Sequence, residues 1–132
     1  MSDASHASNA EKDERLGRNP AGRVVTLDLD EEIRMVSDGL RNQERSAVVL
    51  VKHRDLTVTL LALRKGSRLH EHKAKGSVSV QVVAGVIRLN SEGNEKTVSS
   101  GTICVLDREV PHAVEAMEDS LLLLTAALPL EP

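Results

Sequence analysis

Three histidines are the residues of this chain with the clearest capacity for chemistry. His70 and His72 stand two positions apart, and His112 follows much later in the sequence. A neutral imidazole can bind a transition metal, and it can also donate or accept a hydrogen bond or a proton. Two of the histidines stand at regular distances from glycines: His72 is six residues after Gly66, and His112 is eleven after Gly101.

From Ser46 onward the chain consists of short strand-like runs separated by turns. In SVSVQVVAG, apolar and polar residues alternate with a period of two, whereas SLLLLTAAL is apolar on both faces. Alternation is typical of a strand with one buried face, and a continuous apolar run is typical of a strand that is buried on both sides. Eight or nine such strands, with turns about every eight to twelve residues, predict an all-β barrel or sandwich.

The segment before the strands divides into two parts. Residues 1–23 are polar and charged without an apolar period, which predicts a disordered tail. Residues 24–45 form a lead-in to the barrel, which itself is predicted over residues 46–132. Asp30 is the expected N-cap of a short helix in this lead-in, and Gly39 lies near its end. One face of that helix is apolar at helical spacing, with Ile33, Val36 and Leu40.

Composition excludes several classes of function. The 132 residues fit one domain, and they include no Phe, Tyr or Trp that could stack on nucleic-acid bases or sugars. The formal charge of −3 comes without a basic stripe, and no helix-turn-helix segment fits before the barrel, so nucleic-acid binding is not expected. Cys104, the single cysteine, excludes an internal disulfide. No apolar run has the length of a signal peptide or a membrane span, so we expect a cytoplasmic protein without a membrane partner.

The glycine and histidine spacings resemble those of small single-domain cupins of the RmlC-like type. The first cupin motif is G-x5-H-x-H-x3-E-x6-G, and Gly66 and Gly85 have its spacing of nineteen residues. The second motif is G-x5-P-x-G-x2-H-x3-N, and Gly101 and His112 have its spacing of eleven residues. The resemblance covers roughly residues 46 to 128. It implies an all-β fold, the double-stranded β-helix or jelly-roll barrel, here with a short N-terminal helix.

The resemblance also implies where a metal would be held. In cupins the two histidines and the glutamate of the first motif bind one metal together with the histidine of the second. His72 and His112 occupy two of these four positions, while Ala74 and Val78 occupy the other two. The second motif departs from the family pattern again at its proline, glycine and asparagine positions, which hold Asp107, Glu109 and Ala116.

His70 could supply a third ligand in place of the missing ones. Side chains two apart on a strand point to the same face, so His70 is expected to point inward with His72. The set His70, His72 and His112 could then hold one divalent transition metal, iron, nickel, zinc or copper, with positions left open for water or substrate. If the metal is iron, the expected activity of such a site is a dioxygenase-like reaction. The competing interpretation makes His70 an exposed residue at the barrel rim.

The alternative to a metalloenzyme is a metal-free barrel that binds or senses a small molecule. Replacement of the glutamate by Val78 makes the predicted interior more apolar, and further valines follow on the same face. The expected pocket is lined by the two interior histidines and by Val78, Val80, Val82, Val110 and Val114. Glu109 is the one carboxylate near the barrel mouth that we consider as a general base. The resemblance to small cupins also implies a homodimer.

Overall fold

The computed structural model describes residues 19–129, and within them it has one helix and nine strands. The elements are α1 (Leu29–Asp38), β1 (Arg45–Lys52), β2 (Leu56–Leu63), β3 (Arg68–His72), β4 (Val78–Ala84), β5 (Val86–Ser91), β6 (Asn94–Ser99), β7 (Ile103–Leu106), β8 (His112–Ala116) and β9 (Ser120–Ala127). The predicted all-β fold with a short N-terminal helix is confirmed. The expected disordered tail lies mostly outside the described residues, which begin at Asn19.

The strands form two antiparallel sheets. The five-stranded sheet has the order β1-β2-β9-β4-β7, and the four-stranded sheet has the order β3-β8-β5-β6. Neighbours in the sheets are often far apart in sequence: β2 pairs with β9, and β3 pairs with β8. The second of these pairings places the strand that carries His70 and His72 beside the strand that begins with His112.

The main core lies between the two sheets. Alternate residues of the strands face it, as the period-two pattern predicts; in β4, for example, Val78, Val80 and Val82 are buried while Gln81 is exposed. Ile87 and Leu122 contribute side chains with no exposed surface, one from each sheet. The cavity described below lies in the same layer, between the two sheets.

Helix α1 covers the outer face of the five-stranded sheet. Val36, 1% exposed, packs with Val48 and Leu50 of β1 and with Leu60 of β2 in a second apolar cluster. Strand β2 therefore buries both faces, with Leu61 packed between the sheets and Leu60 packed under the helix. A strand buried on both sides has a nearly continuous apolar sequence, as LTVTLLAL does.

The helix begins two residues earlier than the sequence predicts. Asp28, not Asp30, is the N-cap, and its Oδ1 accepts a hydrogen bond from the backbone N–H of Glu31 at 3.2 Å. Asp30 instead lies in the first turn with two glutamates. Their negative charges are stabilised there by the positive end of the helix dipole. Gly39 is the C-cap, as expected. Within the described part of the chain, no helix has the length and apolar character needed to cross a membrane.

Candidate functional site

A cavity of about 220 Å³ lies between the two sheets, at the end of the barrel that the two histidines occupy. Three strands of the five-stranded sheet and two strands of the four-stranded sheet form its walls, and the loop after β3 adds one residue. The lining residues are Thr57, Thr59, Leu69, His72, Ala74, Val78, Val80, His112, Val114, Leu122, Leu124 and Ala126.

His72 and His112 form the polar part of this lining together with the two threonines. The two histidines are direct partners in the β3–β8 ladder, so the backbone itself places them side by side. Their ring centroids are 4.1 Å apart and the ring planes are inclined at 62°. His112 is only 4% exposed, whereas His72 is exposed, so the pair extends from the interior to the mouth of the cavity.

Each imidazole is oriented by a backbone carbonyl group two residues earlier in the chain. The Nδ1 atom of His72 lies 3.0 Å from the carbonyl oxygen of His70, and Nδ1 of His112 lies 3.0 Å from the carbonyl oxygen of Val110. A carbonyl oxygen only accepts, so both hydrogen bonds require the proton on Nδ1. In the neutral ring the other nitrogen, Nε2, is then an unprotonated acceptor.

The structure does not bring His70 together with the other two histidines. Leu69 pairs with Val114 and His72 pairs with His112, so two residues of β3 face one residue of β8 in a β-bulge. Leu69 and His72, three positions apart, therefore both line the cavity. The alternation that predicted an inward His70 does not hold across this bulge. His70 instead lies in a depression on the outer face, lined also by Arg68, Glu71, Asn90 and Glu115.

Three of the five valines expected around a ligand, Val78, Val80 and Val114, line the cavity. Val82 is fully buried in the core, and Val110 packs at its edge, so neither reaches the cavity wall. The sequence reasoning missed the contributions of β2 and β9, among them Thr57, Thr59, Leu122, Leu124 and Ala126. The alternation of Thr57, Thr59 and Leu61 in LTVTLLAL was a usable signal for one of these strands.

Solved structures of low sequence identity share this architecture. A conserved protein of unknown function from Streptococcus pyogenes is 24% identical, with a TM-score of 0.69 over 86% of this chain and 96% of that one. A cupin superfamily protein from Desulfitobacterium hafniense is 12% identical, with a TM-score of 0.71 over 85% and 98%. The chain has the cupin fold. No family model matches it, and comparison with curated proteins gives no significant match.

A cupin-fold enzyme is also among the similar structures. A salicylate 1,2-dioxygenase from Pseudaminobacter salicylatoxidans is 17% identical and has a TM-score of 0.72. The match covers 83% of this chain and 36% of the enzyme chain. At this level of identity the likeness shows the fold alone.

The residues present do not fit the metal site that the cupin fold implies. Ala74 and Val78 line the cavity beside His72 and His112, so the two missing ligand positions face the same space as the two retained ones. Among residues 19–129 no group of three or more His, Cys, Asp or Glu side chains is placed to hold a metal ion. Two nitrogen ligands are fewer than the three or four protein ligands typical of zinc sites.

Glu109, the carboxylate considered as a general base, is exposed and does not line the cavity. It has a φ of 63°, and its backbone N–H donates to the carbonyl oxygen of Ala74 at 2.8 Å. Glu109 therefore lies in the loop between β7 and β8, bonded to the loop after β3 and outside the cavity lining.

Proposed function

We propose that this cupin-fold protein binds a small, partly apolar molecule in the cavity between its sheets and does so without a resident metal. The observation that carries the proposal is the composition of the cavity wall. Two imidazoles and two threonine hydroxyls are set in a lining that is otherwise made of Leu, Val and Ala. An apolar cavity with a few convergent polar groups is the usual form of a small-molecule site.

The size of the cavity limits the ligand. Sites for drug-sized molecules have volumes of about 300–1,000 Å³, and this cavity of about 220 Å³ is smaller. A molecule of roughly one ring, or a short branched chain, is the expected occupant. Its apolar body would contact Val80, Leu122 and Leu124, while a polar end would meet the histidines.

A metalloenzyme with dioxygenase-like chemistry is the second candidate. Nδ1 donation to a backbone carbonyl, seen at both His72 and His112, is the arrangement that orients metal-binding histidines in other proteins. One structure of the same fold is a dioxygenase. The candidate is weakened by Ala74 and Val78, because these side chains supply no ligand atom.

Metal analysis combined with ligand binding decides between the two candidates. Protein purified without added metal is compared with a His72→Leu/His112→Leu variant by mass spectrometry for iron, nickel, zinc and copper, before and after soaking in each metal. We expect well below one metal per chain in both proteins. Near-stoichiometric metal that disappears in the variant would overturn the metal-free proposal.

A fragment screen then tests the cavity directly. Small neutral compounds of about one ring are added to the parent protein and to an Ala74→Leu variant, whose larger side chain fills part of the cavity. Ala74 is a half-buried loop residue, so this change should leave the fold intact. Compounds that raise the melting temperature of the parent and not of the variant would support binding in the cavity.

We also propose that the protein forms a homodimer through the outer face of β7. This strand is at the edge of the five-stranded sheet, and its residues Ile103 and Val105 are 58% and 65% exposed on that face. Monomeric proteins usually protect an edge strand with charges or a covering element, and β7 has no charged residue.

A further inference from the structure

The histidine pair presents hydrogen-bond acceptors to the cavity. Because both Nδ1 protons are donated to backbone carbonyls, the ring nitrogens left for other partners are the two Nε2 atoms. Two acceptors cannot hydrogen-bond to each other, so the close approach of the rings does not satisfy them. Within the described residues neither Nε2 has a hydrogen-bond partner. Each can therefore accept a hydrogen bond from a group that brings its own hydrogen.

The rest of the lining determines the charge of that group. None of the twelve lining residues is Asp, Glu, Lys or Arg. A carboxylate or phosphate brought into this cavity would find no fixed positive charge, and an ammonium would find no negative one. Burial of an unpaired charge is strongly unfavourable, so a neutral ligand is favoured over both kinds of ion.

We infer that the ligand is a neutral alcohol or phenol of about one ring, whose hydroxyl group donates a hydrogen bond to Nε2 of His72 or His112. This inference rests on the proposed ligand-binding function and adds the chemical class of the ligand. A hydroxyl group supplies the missing hydrogen without introducing a charge. The opposite wall, with Thr57 and Thr59, offers hydroxyls of its own, and these are the competing partners for the ligand.

Four compounds with one carbon skeleton test the inference. Binding of toluene, benzyl alcohol, benzylamine and benzoate to the parent protein is measured by ligand-observed NMR titration at pH 8. We expect benzyl alcohol to bind about tenfold more tightly than toluene, as one net hydrogen bond allows. We expect benzylamine and benzoate to bind more weakly than benzyl alcohol.

Four variants locate the hydrogen bond. His72→Leu and His112→Leu each remove one acceptor, and His72 is exposed, so at least this variant should fold. His70→Leu removes a histidine outside the cavity and serves as the matched control. The double variant Thr57→Val/Thr59→Val removes the competing hydroxyls. In at least one of the two cavity-histidine variants, the affinity ratio of benzyl alcohol to toluene should fall toward one. The ratio should stay as in the parent in the His70 control and in the threonine double variant.

The outcomes separate this inference from the function on which it rests. Toluene binding that is lost in Ala74→Leu, without any preference for benzyl alcohol, would overturn the inference and leave the ligand-binding cavity standing. Equal or tighter binding of benzoate would also overturn it, since the histidines would then act as cations. A preference that disappears only in the threonine variant would also overturn it, because the ligand hydroxyl would then bond to Thr57 or Thr59 and not to a histidine. Failure of all four compounds to bind would contradict the proposed function as well.

Discussion

His72 and His112 face each other directly across the β3–β8 ladder, with ring centroids 4.1 Å apart. Each ring donates a hydrogen bond from Nδ1 to the backbone carbonyl group two residues earlier, that of His70 or Val110. The orientation of the pair is therefore a property of the backbone and needs no metal to maintain it. This explains how the pair can persist in a cavity where Ala74 and Val78 occupy the other ligand positions.

The two missing ligands can be restored by substitution. Ala74 and Val78 line the same cavity as the histidine pair, so Ala74→His combined with Val78→Glu should supply a second set of donors next to it. We expect the double variant to bind close to one zinc or nickel ion per chain. Isothermal titration calorimetry and metal analysis of the dialysed protein would measure this gain against the parent.

The apo form of the same variant should be less stable than the parent. Val78 is 9% exposed, and a carboxylate buried there without a partner costs about 1–3 kcal/mol or more. Metal should reverse this loss, because it binds the folded state only. Val78→Gln is the control that changes polarity without adding a charge. Unchanged metal affinity in the double variant would show that these positions do not converge on the histidines.

The glycine and histidine spacings predicted the fold, and they indicated that His72 and His112 share the barrel interior, because these spacings depend on residues that keep a regular register. Gly66 and Gly101 both adopt positive φ, of 88° and 86°, at the turns that lead toward β3 and into β7. His72 lines the cavity even though a bulge lies between Leu69 and His72. The bulge itself has no sequence signature in RLHEH, and it is the reason why the orientation of His70 could not be predicted.

The lining from β9 could not be predicted from the sequence for a different reason. This strand contacts apolar clusters on both of its faces, so the apolar pattern does not indicate which side faces the cavity. In β9 the inward residues Leu122 and Leu124 alternate with Leu121 and Leu123, which pack toward the helix side. Only the pairing of β9 between β2 and β4 decides which set lines the site.

Alanine substitutions at Gly85 and Gly93 compare a crowded site with an open one, because the two glycines have similar backbone conformations. Both have positive φ, of 93° and 82°, but a Cβ on Gly85 would lie 2.5 Å from the carbonyl oxygen of Asp119, whereas nothing lies within 4 Å at Gly93. We expect Gly93→Ala to destabilise by about 1–2 kcal/mol from strain alone. Gly85→Ala should cost about 1–3 kcal/mol more.

Urea denaturation of the two alanine variants measures this difference. The Gly85 variant should also disturb Ser120, whose Oγ accepts a hydrogen bond from the Val86 N–H at 3.2 Å. Equal losses of stability in the two proteins would mean that the chain near Ser120 moves aside at little cost.

The proposed dimer predicts a change of mass on substitution of β7. Ile103→Lys/Val105→Lys places charges on its outer face, and both side chains are already largely exposed. We therefore expect little effect on the stability of the monomer, within about 0.5 kcal/mol per site. Light scattering after size-exclusion chromatography should give a dimer for the parent and a monomer for the variant. A parent that is monomeric at high concentration would contradict the proposal.

Leu60 and Leu122 lie on neighbouring strands of one sheet but face opposite sides, and both have no exposed surface. Leu60 packs under α1, and Leu122 lines the cavity. Substitution of either by Ala should cost about 2–5 kcal/mol in the free energy of unfolding, because each deletes a fully buried side chain.

Only Leu122→Ala should enlarge the cavity. In ligand titrations we expect this variant to accept compounds one or two carbon atoms larger than the parent does, while Leu60→Ala keeps the size preference of the parent. If both variants bind the larger compounds equally, the gain comes from general loosening of the barrel rather than from the added space beside the histidine pair.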